Sequence, residues 1–242
     1  MKVLILAAGR VPQGGAESYP PCLTEFNGQP LIQRLLLHCG PLRPSRLIVV
    51  FSAQQVRDHH LDRVTTLLWP GAMVLSVDQT RGAACTALLA CGHIDDDEEL
   101  LIVNGNELLD TDFASIVADF RARRLDAGTA VFQSVHPRYS YVRVDAQDLV
   151  VEASEKVPVS TNATAGFYWV ARGSDFVRAA KNLVRKDASV NGDFYICPSL
   201  NELVLEHRRV GIHPVDSSRY HPLKTTRQIE QFASRVEREL AL

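Results

Sequence analysis

The first predicted strand ends in residues that leave its backbone accessible to a ligand. The segment 2–6 has strand length, and Ala7-Ala8-Gly9 follows it directly. Residues this small let a flat ligand approach the backbone and accept hydrogen bonds from its N–H groups. Arg10 could then reach a phosphate group, and Gly14-Gly15 could form an anion-binding turn. The same residues also fit the plain end of a buried strand.

Amide side chains follow two later predicted strands. Gln79 comes after the segment 73–77, and Asn104 and Asn106 come after 100–103. Ligands of parallel α/β sheets bind beyond the carboxyl ends of the strands. We therefore expect the loops after Leu6, Val77 and Val103 to meet in one crevice.

Strand-like and helix-like segments alternate along the chain, which predicts the elements that position these residues. Strands are predicted at 2–6, 47–51, 73–77 and 100–103, alternating with helices at 31–39, 54–69, 82–91 and 112–125. The second half predicts a meander of short strands at 129–133, 139–144 and 149–152, then a strand at 165–170, helices at 174–186 and 198–207, a strand at 209–214 and a helix at 226–240. We expect one domain over 1–242, a three-layer α/β/α fold with a mostly parallel, Rossmann-like central sheet and a small β-rich lobe.

Composition excludes several classes of protein. The 242 residues include 26 basic and 28 acidic side chains, a balance that does not suit a protein that binds nucleic acid by charge. No apolar segment approaches the roughly 20 residues that span a bilayer, and the N-terminus does not resemble a signal peptide, so we expect a cytoplasmic protein without membrane contact. The five cysteines are odd in number and lack CxxC spacing, which argues against a disulfide framework or a zinc site.

The order of several motifs resembles the sugar-1-phosphate nucleotidyltransferases, which have the GT-A-type nucleotide-diphospho-sugar transferase fold. The motifs are Leu6–Gly9, Tyr19–Leu23, Asn27–Ile32, Gln79–Thr86, Asn104–Asn106, Glu155-Lys156, Thr164–Tyr168, Val190–Pro198 and Asn201–Leu203. The last two look most like a branch associated with capsule and surface-polysaccharide genes, which includes cytidylyltransferases.

The resemblance implies a reaction and a set of site residues. A phosphate oxygen of a sugar phosphate or similar small acceptor would attack the α-phosphorus of a nucleoside triphosphate, CTP or UTP by preference, and release pyrophosphate with the help of Mg²⁺. A nucleotide-binding half, 1–125, would use Leu6, Ala7, Ala8, Gly9, Gln79, Gly82 and Ala83. An acceptor-binding half, 126–242, would use Glu155, Lys156, Thr164, Gly166, Asn191 and Tyr195, together with Asn104. Arg10 and Lys156 are the expected catalytic residues, Asn106 stands at the metal position, and a homodimer is left open.

The sequence departs from the family at three positions where charge would be neutralised. Val11, Pro12 and Gln13 replace the Gly, Ser/Thr and Arg of the loop, Pro21 replaces a Lys, and Asn106 replaces a metal-binding Asp. A neutral amide is a poor ligand for a hard cation. The segment 221–225 also lacks the carboxylate and Gly that relatives carry near a second metal site.

Side chains that could fill the gap are Arg10, Gln13, Arg81, Glu107 and Asp110. Arg10 and Arg81 also fit ordinary surface arginines, and Glu107 also fits a solvated loop carboxylate. Three functions therefore compete: a working nucleotidyltransferase, a relative that binds nucleotide or a partner without turnover, and a glycosyltransferase. The third ranks last because it needs Asp-x-Asp where Asn104-Gly105-Asn106 stands.

Overall fold

The computed structural model describes residues 1–9 and 19–240. The strands of the described residues are β1 (Lys2–Leu6), β2 (Glu25–Phe26), β3 (Gln29–Pro30), β4 (Arg46–Ser52), β5 (Met73–Val77), β6 (Leu100–Asn104), β7 (Glu107–Leu109), β8 (Ala127–Gln133), β9 (Ser140–Val144), β10 (Val150–Glu155), β11 (Asn162–Val170), β12 (Val210–Pro214) and β13 (Tyr220–Pro222). Their helices are α1 (Leu31–Cys39), α2 (Ala53–His59), α3 (Leu61–Leu68), α4 (Ala83–Leu88), α5 (Cys91–Ile94), α6 (Phe113–Ala122), α7 (Gly173–Arg185), α8 (Leu200–Leu205) and α9 (Thr226–Leu240).

Strand β1 lies at the centre of the parallel part of the main sheet. It pairs in parallel with β4 on one side and with β6 on the other, and β5 extends the parallel run beyond β4. Leu6 lies opposite Val50 and Asn104 in these ladders, so the neighbouring strands end at one edge. All five residues of β1 are buried, which explains its continuous apolar pattern because the sheet is covered on both faces.

Alternate residues of β1 point into two separate cores. Val3 and Ile5 pack in the core that contains α1 and α6, whereas Leu4 and Leu6 pack in the core that contains α4, α7 and α8. Side chains of a strand alternate between the two faces of its sheet, so helices cover both faces. The predicted α/β fold, with a mostly parallel central sheet between layers of helices, is confirmed.

The second half is not the simple meander that the sequence predicts. Strands β9 and β10 form an antiparallel hairpin, but β8 pairs with β11 and, in parallel, with β12. Strand β11 is antiparallel to β6 and thereby joins both halves into one sheet. Six of the seven residues of β8 are buried. They are buried because β8 lies between two neighbouring strands, whereas a strand at the edge of a meander would be more exposed to solvent.

Three local features differ from the predicted elements. The helix predicted at 54–69 is broken at His60, which has a φ of 51° and starts a second helix. The predicted helix 82–91 divides into α4 and α5. Strands β7 and β13, which pair with each other, are three residues each and therefore too short to show an alternating pattern.

No helix among the described residues is long and apolar enough to cross a membrane.

Phe120 tests the packing of α6 against the sheet. Its side chain is fully buried and its ring stacks on Trp169 of β11, with 5.7 Å between centroids. We expect Phe120→Ala to lower the free energy of unfolding by about 3–5 kcal/mol, because it removes buried apolar surface and leaves a cavity. Leu67→Ala, at a side chain that is 82% exposed, is the matched control and should change stability by less than about 0.5 kcal/mol in urea unfolding. Equal effects of the two substitutions would contradict this packing.

Candidate active site

A cleft of about 1160 Å³ lies at the carboxyl ends of the parallel strands. Its walls come from the segments that follow all four of these strands: Leu6–Gly9 after β1, Ser52–Gln55 at the end of β4, Val77–Thr80 after β5 and Asn104–Asn106 after β6. The expectation that the loops after Leu6, Val77 and Val103 meet is therefore confirmed. The contribution of the segment after β4 is additional.

Close backbone packing holds the end of β1 in this cleft. The Ala7 N–H donates to the Val50 carbonyl at 2.8 Å, and the Gly105 N–H donates to the Leu6 carbonyl at 2.8 Å. A Cβ added to Gly105 would lie 2.6 Å from the Cβ of Ala7. The buried side chain of Gln55 donates its Nε2 hydrogen to the Gly9 carbonyl at 3.2 Å. Small residues are thus required where these segments touch.

Gly82 is held in a conformation that favours glycine. Its φ is 95°, and an added Cβ would lie 2.6 Å from the Phe194 backbone nitrogen. The Phe194 N–H donates to the Arg81 carbonyl at 2.8 Å, and the Ala84 N–H donates to the Phe194 carbonyl at 3.0 Å. These contacts bring Tyr195, a residue of the second half, to the wall of the cleft beside Ala83.

A small cavity of about 70 Å³ lies beside the cleft. Its lining includes Glu155, Thr164 and Gly166 from the predicted acceptor set. Four residues line both spaces: Ala83, Asn104, Tyr195 and Lys224. The predicted nucleotide-binding residues line the cleft, and most of the predicted acceptor-binding residues line the adjoining cavity.

Glu107 and Lys224 form an ion pair at this boundary. Glu107 is only 4% exposed, which corrects the expectation that it could be a solvated loop carboxylate. Its Oε1 is paired with Lys224 Nζ and also accepts a hydrogen bond from Asn104 Nδ2 at 3.3 Å. Desolvation alone would lower the pKa of Lys224, but the attraction of Glu107 outweighs it and raises that pKa. The ammonium is therefore charged at neutral pH.

The ion pair also explains a glycine in the acceptor set. Gly166 has a φ of 65°, and an added Cβ would overlap Glu107 Oε2 and lie 2.8 Å from Asn104 Nδ2. Two tyrosines that line the cavity, Tyr168 and Tyr220, are buried. Burial, and next the nearby Glu107 carboxylate, raise the pKa of Tyr220 well above its ordinary value. Its hydroxyl consequently stays protonated at neutral pH.

The remaining acceptor residues differ in how they meet the cavity. Thr164 Oγ1 shares a 2.9 Å hydrogen bond with the Tyr168 hydroxyl. Lys156 Nζ donates to the Tyr195 hydroxyl at 2.7 Å but does not itself line either space. Asn191 lies on an exposed turn with a φ of 54° and also lines neither space. The binding roles of these residues stay predictions.

The structure describes only some of the side chains that could replace the missing charged residues. Arg10, Gln13 and the Gly14-Gly15 turn lie outside the described residues. Arg81 does not line the cleft, because its Nε–H donates to the Gly192 carbonyl at 3.2 Å and its guanidinium covers the Phe194 ring. Asp110 is also outside the cleft. Pro21 and Asn106 do line it, so the cleft carries neutral groups at those two positions.

The donor set at the end of β6 does not fit a magnesium ion. Asn104 and Asn106 are neutral amides, and the nearby carboxylate of Glu107 is already paired with an ammonium. Asp78 and Asp193 line other parts of the cleft. Within residues 1–9 and 19–240, no three His, Cys, Asp or Glu side chains come together as they would in a metal site built from side chains alone. The residues at the end of β6, where the family resemblance places Mg²⁺, therefore do not supply a free carboxylate for it.

Sequence reasoning missed Lys224, Gln55 and Arg57 as residues of the cleft. The signal for Lys224 is that the segment 221–225 departs from the family pattern, which by itself indicates a lost metal ligand rather than a new cation. Gln55 and Arg57 lie on α2, beyond a strand that carried no recognised motif. Their places depend on the tertiary fold.

Glu155 provides a pH-dependent test of the buried cavity. Burial raises the pKa of Glu155 above its ordinary value of 4.5, and a hydrogen bond from the Ser140 hydroxyl only partly opposes this shift. The native state then holds the proton more strongly than the unfolded chain does. The free energy of unfolding therefore falls as pH rises from about 4.5 through the raised pKa.

We expect Glu155→Gln, which carries no ionisable proton, to gain stability relative to the parent protein as pH rises. Melting temperatures of both proteins between pH 4 and pH 8 measure this difference. A difference that is independent of pH would contradict the burial of an ionisable Glu155.

Solved structures of low sequence identity share this fold. The nucleoside-diphosphate-sugar pyrophosphorylase from Vibrio cholerae RC9 has a TM-score of 0.81 at 19% identity, over 97% of this chain and 100% of that chain. The inositol-1-phosphate CTP transferase from T. maritima has a TM-score of 0.71 at 14% identity, over 98% and 96%. A UDP-glucose pyrophosphorylase complexed with UDP-glucose has a TM-score of 0.76 at 13% identity, over 98% of each chain.

The sequence itself matches a family model. A search of curated proteins gave no match. The model described as Nucleotidyl transferase, however, matches residues 4–195, which include the end of β1, the loops after the parallel strands and most residues of the small cavity. This match covers most of the chain, and the chain therefore belongs to the nucleotidyl transferase family.

Proposed function

We propose that this protein transfers a nucleotidyl group from a nucleoside triphosphate to a phosphorylated sugar or similar small acceptor and releases pyrophosphate. The observation that carries the proposal is the shared wall between the cleft and the small cavity, formed by Ala83, Asn104, Tyr195 and Lys224. Two substrates bound in these spaces would meet at that wall. Family membership supports the same reaction class.

The protein's part in this reaction is to position two anions and neutralise charge. The acceptor phosphate oxygen forms a bond to the α-phosphorus while the bond to the pyrophosphate oxygen breaks. The backbone of Ala7–Gly9, with Gln79 and Ala83, would hold the nucleotide, because these residues line the larger space. Glu155 and Thr164 would form hydrogen bonds with the hydroxyl groups of the phosphorylated substrate in the smaller space.

CTP or UTP is the preferred donor in this proposal, and surface-polysaccharide precursor synthesis is the cellular role. Both rest on the motifs at 190–198 and 201–203, which resemble the capsule-associated branch of the family. The T. maritima neighbour, by its description, uses CTP, and this agrees with a cytidylyl donor.

A specific observation favours a second function, nucleotide binding without turnover. Pro21 and Asn106 line the cleft where the family carries a Lys and an Asp. Loss of cationic groups that stabilise phosphoryl-transfer transition states costs several powers of ten in rate in well-studied systems. The cleft would then hold nucleotide while the chemical step became negligible.

One assay separates the two functions. The protein is incubated with each nucleoside triphosphate and a panel of sugar phosphates and polyol phosphates, and pyrophosphate is measured. Release that needs both a triphosphate and an acceptor supports the transferase. Nucleotide binding in calorimetry with no release from any pair supports the second function, and neither binding nor release contradicts both.

Lys156 tests the acceptor side of the proposal. Its ammonium donates to the Tyr195 hydroxyl at 2.7 Å, so it would act on the acceptor through the shared wall. We expect Lys156→Ala to weaken acceptor affinity by about tenfold, on the order of one lost charged hydrogen bond, with little change in nucleotide affinity. Lys181→Ala, at a half-exposed lysine paired with Asp95, is the control. An equal loss for both ligands, or no loss for either, would contradict the assignment.

A further inference from the structure

Backbone hydrogen bonds join the segment that carries Lys224 to the residues that follow β6. Strand β13 pairs with β7, which places Pro222 opposite Glu107. The Leu223 N–H donates to the Asn106 carbonyl at 2.9 Å. Because Leu223 is fully buried, the next residue has little freedom to move away. Lys224 is thereby fixed beside the two positions where this chain has amides.

The surroundings of Lys224 keep a positive charge at the boundary of the two spaces. Its side chain is 41% exposed and lines both the cleft and the small cavity, while its ammonium is paired with the buried Glu107. An ammonium has three N–H donors, so pairing with one carboxylate oxygen leaves donors for phosphate oxygens. Glu107 holds the ammonium in place rather than facing the cleft as a free ligand.

The same arrangement disfavours a divalent cation. A cation bound by Glu107 Oε1 would compete with Lys224 for that oxygen, and the other described side chains at the end of β6, Asn104 and Asn106, offer neutral amides. Neutral amides bind hard cations less well than carboxylates do. A fixed ammonium and a divalent cation would also repel each other across this short distance.

We propose that the Lys224 ammonium takes the place of a divalent cation in this cleft and binds the phosphates of the nucleotide directly, so that nucleotide binding does not need Mg²⁺. The proposal rests on the proposed function only in that the cleft binds a nucleoside triphosphate. The ligand class is an organic polyphosphate bound by charge-assisted N–H···O contacts.

Titration calorimetry of the full chain with CTP and UTP tests this proposal. Binding is measured in EDTA and again with excess Mg²⁺. We expect affinities within about threefold of each other in the two conditions. We expect Lys224→Met to weaken binding in EDTA at least tenfold, with no rescue by Mg²⁺, because the substitution removes the ammonium while keeping much of the side-chain volume. Lys181→Met is the matched control and should leave both affinities unchanged.

A folding control accompanies this variant. Lys224→Met leaves the Glu107 carboxylate buried without its partner, which destabilises the fold. The double variant Lys224→Met/Glu107→Gln removes both charges, and it should keep a cooperative thermal transition yet show the same loss of affinity. Parent-like affinity of the double variant in EDTA would overturn the proposal.

The outcomes separate this proposal from the function on which it rests. Nucleotide binding by the parent protein that requires Mg²⁺ overturns the proposal and leaves the nucleotidyltransferase function intact. Tighter binding of CTP by Lys224→Met with Mg²⁺ also overturns it, because Glu107 would then be a metal ligand. Absence of binding of either nucleotide in both conditions overturns the proposal and the proposed function together.

Discussion

The ion pair between the buried Glu107 and the partly exposed Lys224 is the interaction on which the candidate site depends. A carboxylate that is 4% exposed is costly to bury unless a partner compensates its charge, and here an ammonium from the segment after β13 does so. The pair joins this late segment to the end of β6. It also occupies the space beside Gly166 and orients the Asn104 amide at the boundary of the two cavities.

This constraint changes how the loss of family residues is understood. Taken singly, Pro21 and Asn106 remove charges that phosphate chemistry uses. Taken with Lys224, they describe a cleft whose charge has a different source: a fixed side chain in place of a bound ion. A side-chain cation is always present and carries one charge, whereas a magnesium ion carries two. We therefore expect nucleotide binding to be retained more fully than the rate of the chemical step.

The sequence predicted the parallel half of the fold well because its signals are local. Strand β1 and helix α1 have the predicted bounds, since a short continuous apolar run and an amphipathic helical repeat are both carried by neighbouring residues. The break at His60 was missed because apolar residues continue on both sides of it. The pairing of β8 with β12 depends on contacts far apart in the chain, which periodicity does not report.

The candidate site shows the same contrast between features with local sequence signals and features that depend on contacts between distant residues. The small residues Ala7 and Gly82 could be placed from sequence because small size is required where backbones approach this closely. The burial of Glu107 could not be predicted, since its strand pairs with β13 and its charge is paired with Lys224, both distant in sequence. A sequence does not distinguish a solvated glutamate from a buried one. The partner that the fold brings to the carboxylate distinguishes them.

The most direct test of this account is a crystal structure of the protein with CTP in the presence of EDTA. The account predicts a nucleotide in the cleft, its base beside Ala7–Gly9 and Gln79, and phosphate oxygens within hydrogen-bond distance of Lys224 Nζ. A nucleotide bound elsewhere, or one whose phosphates point away from Lys224, would contradict it.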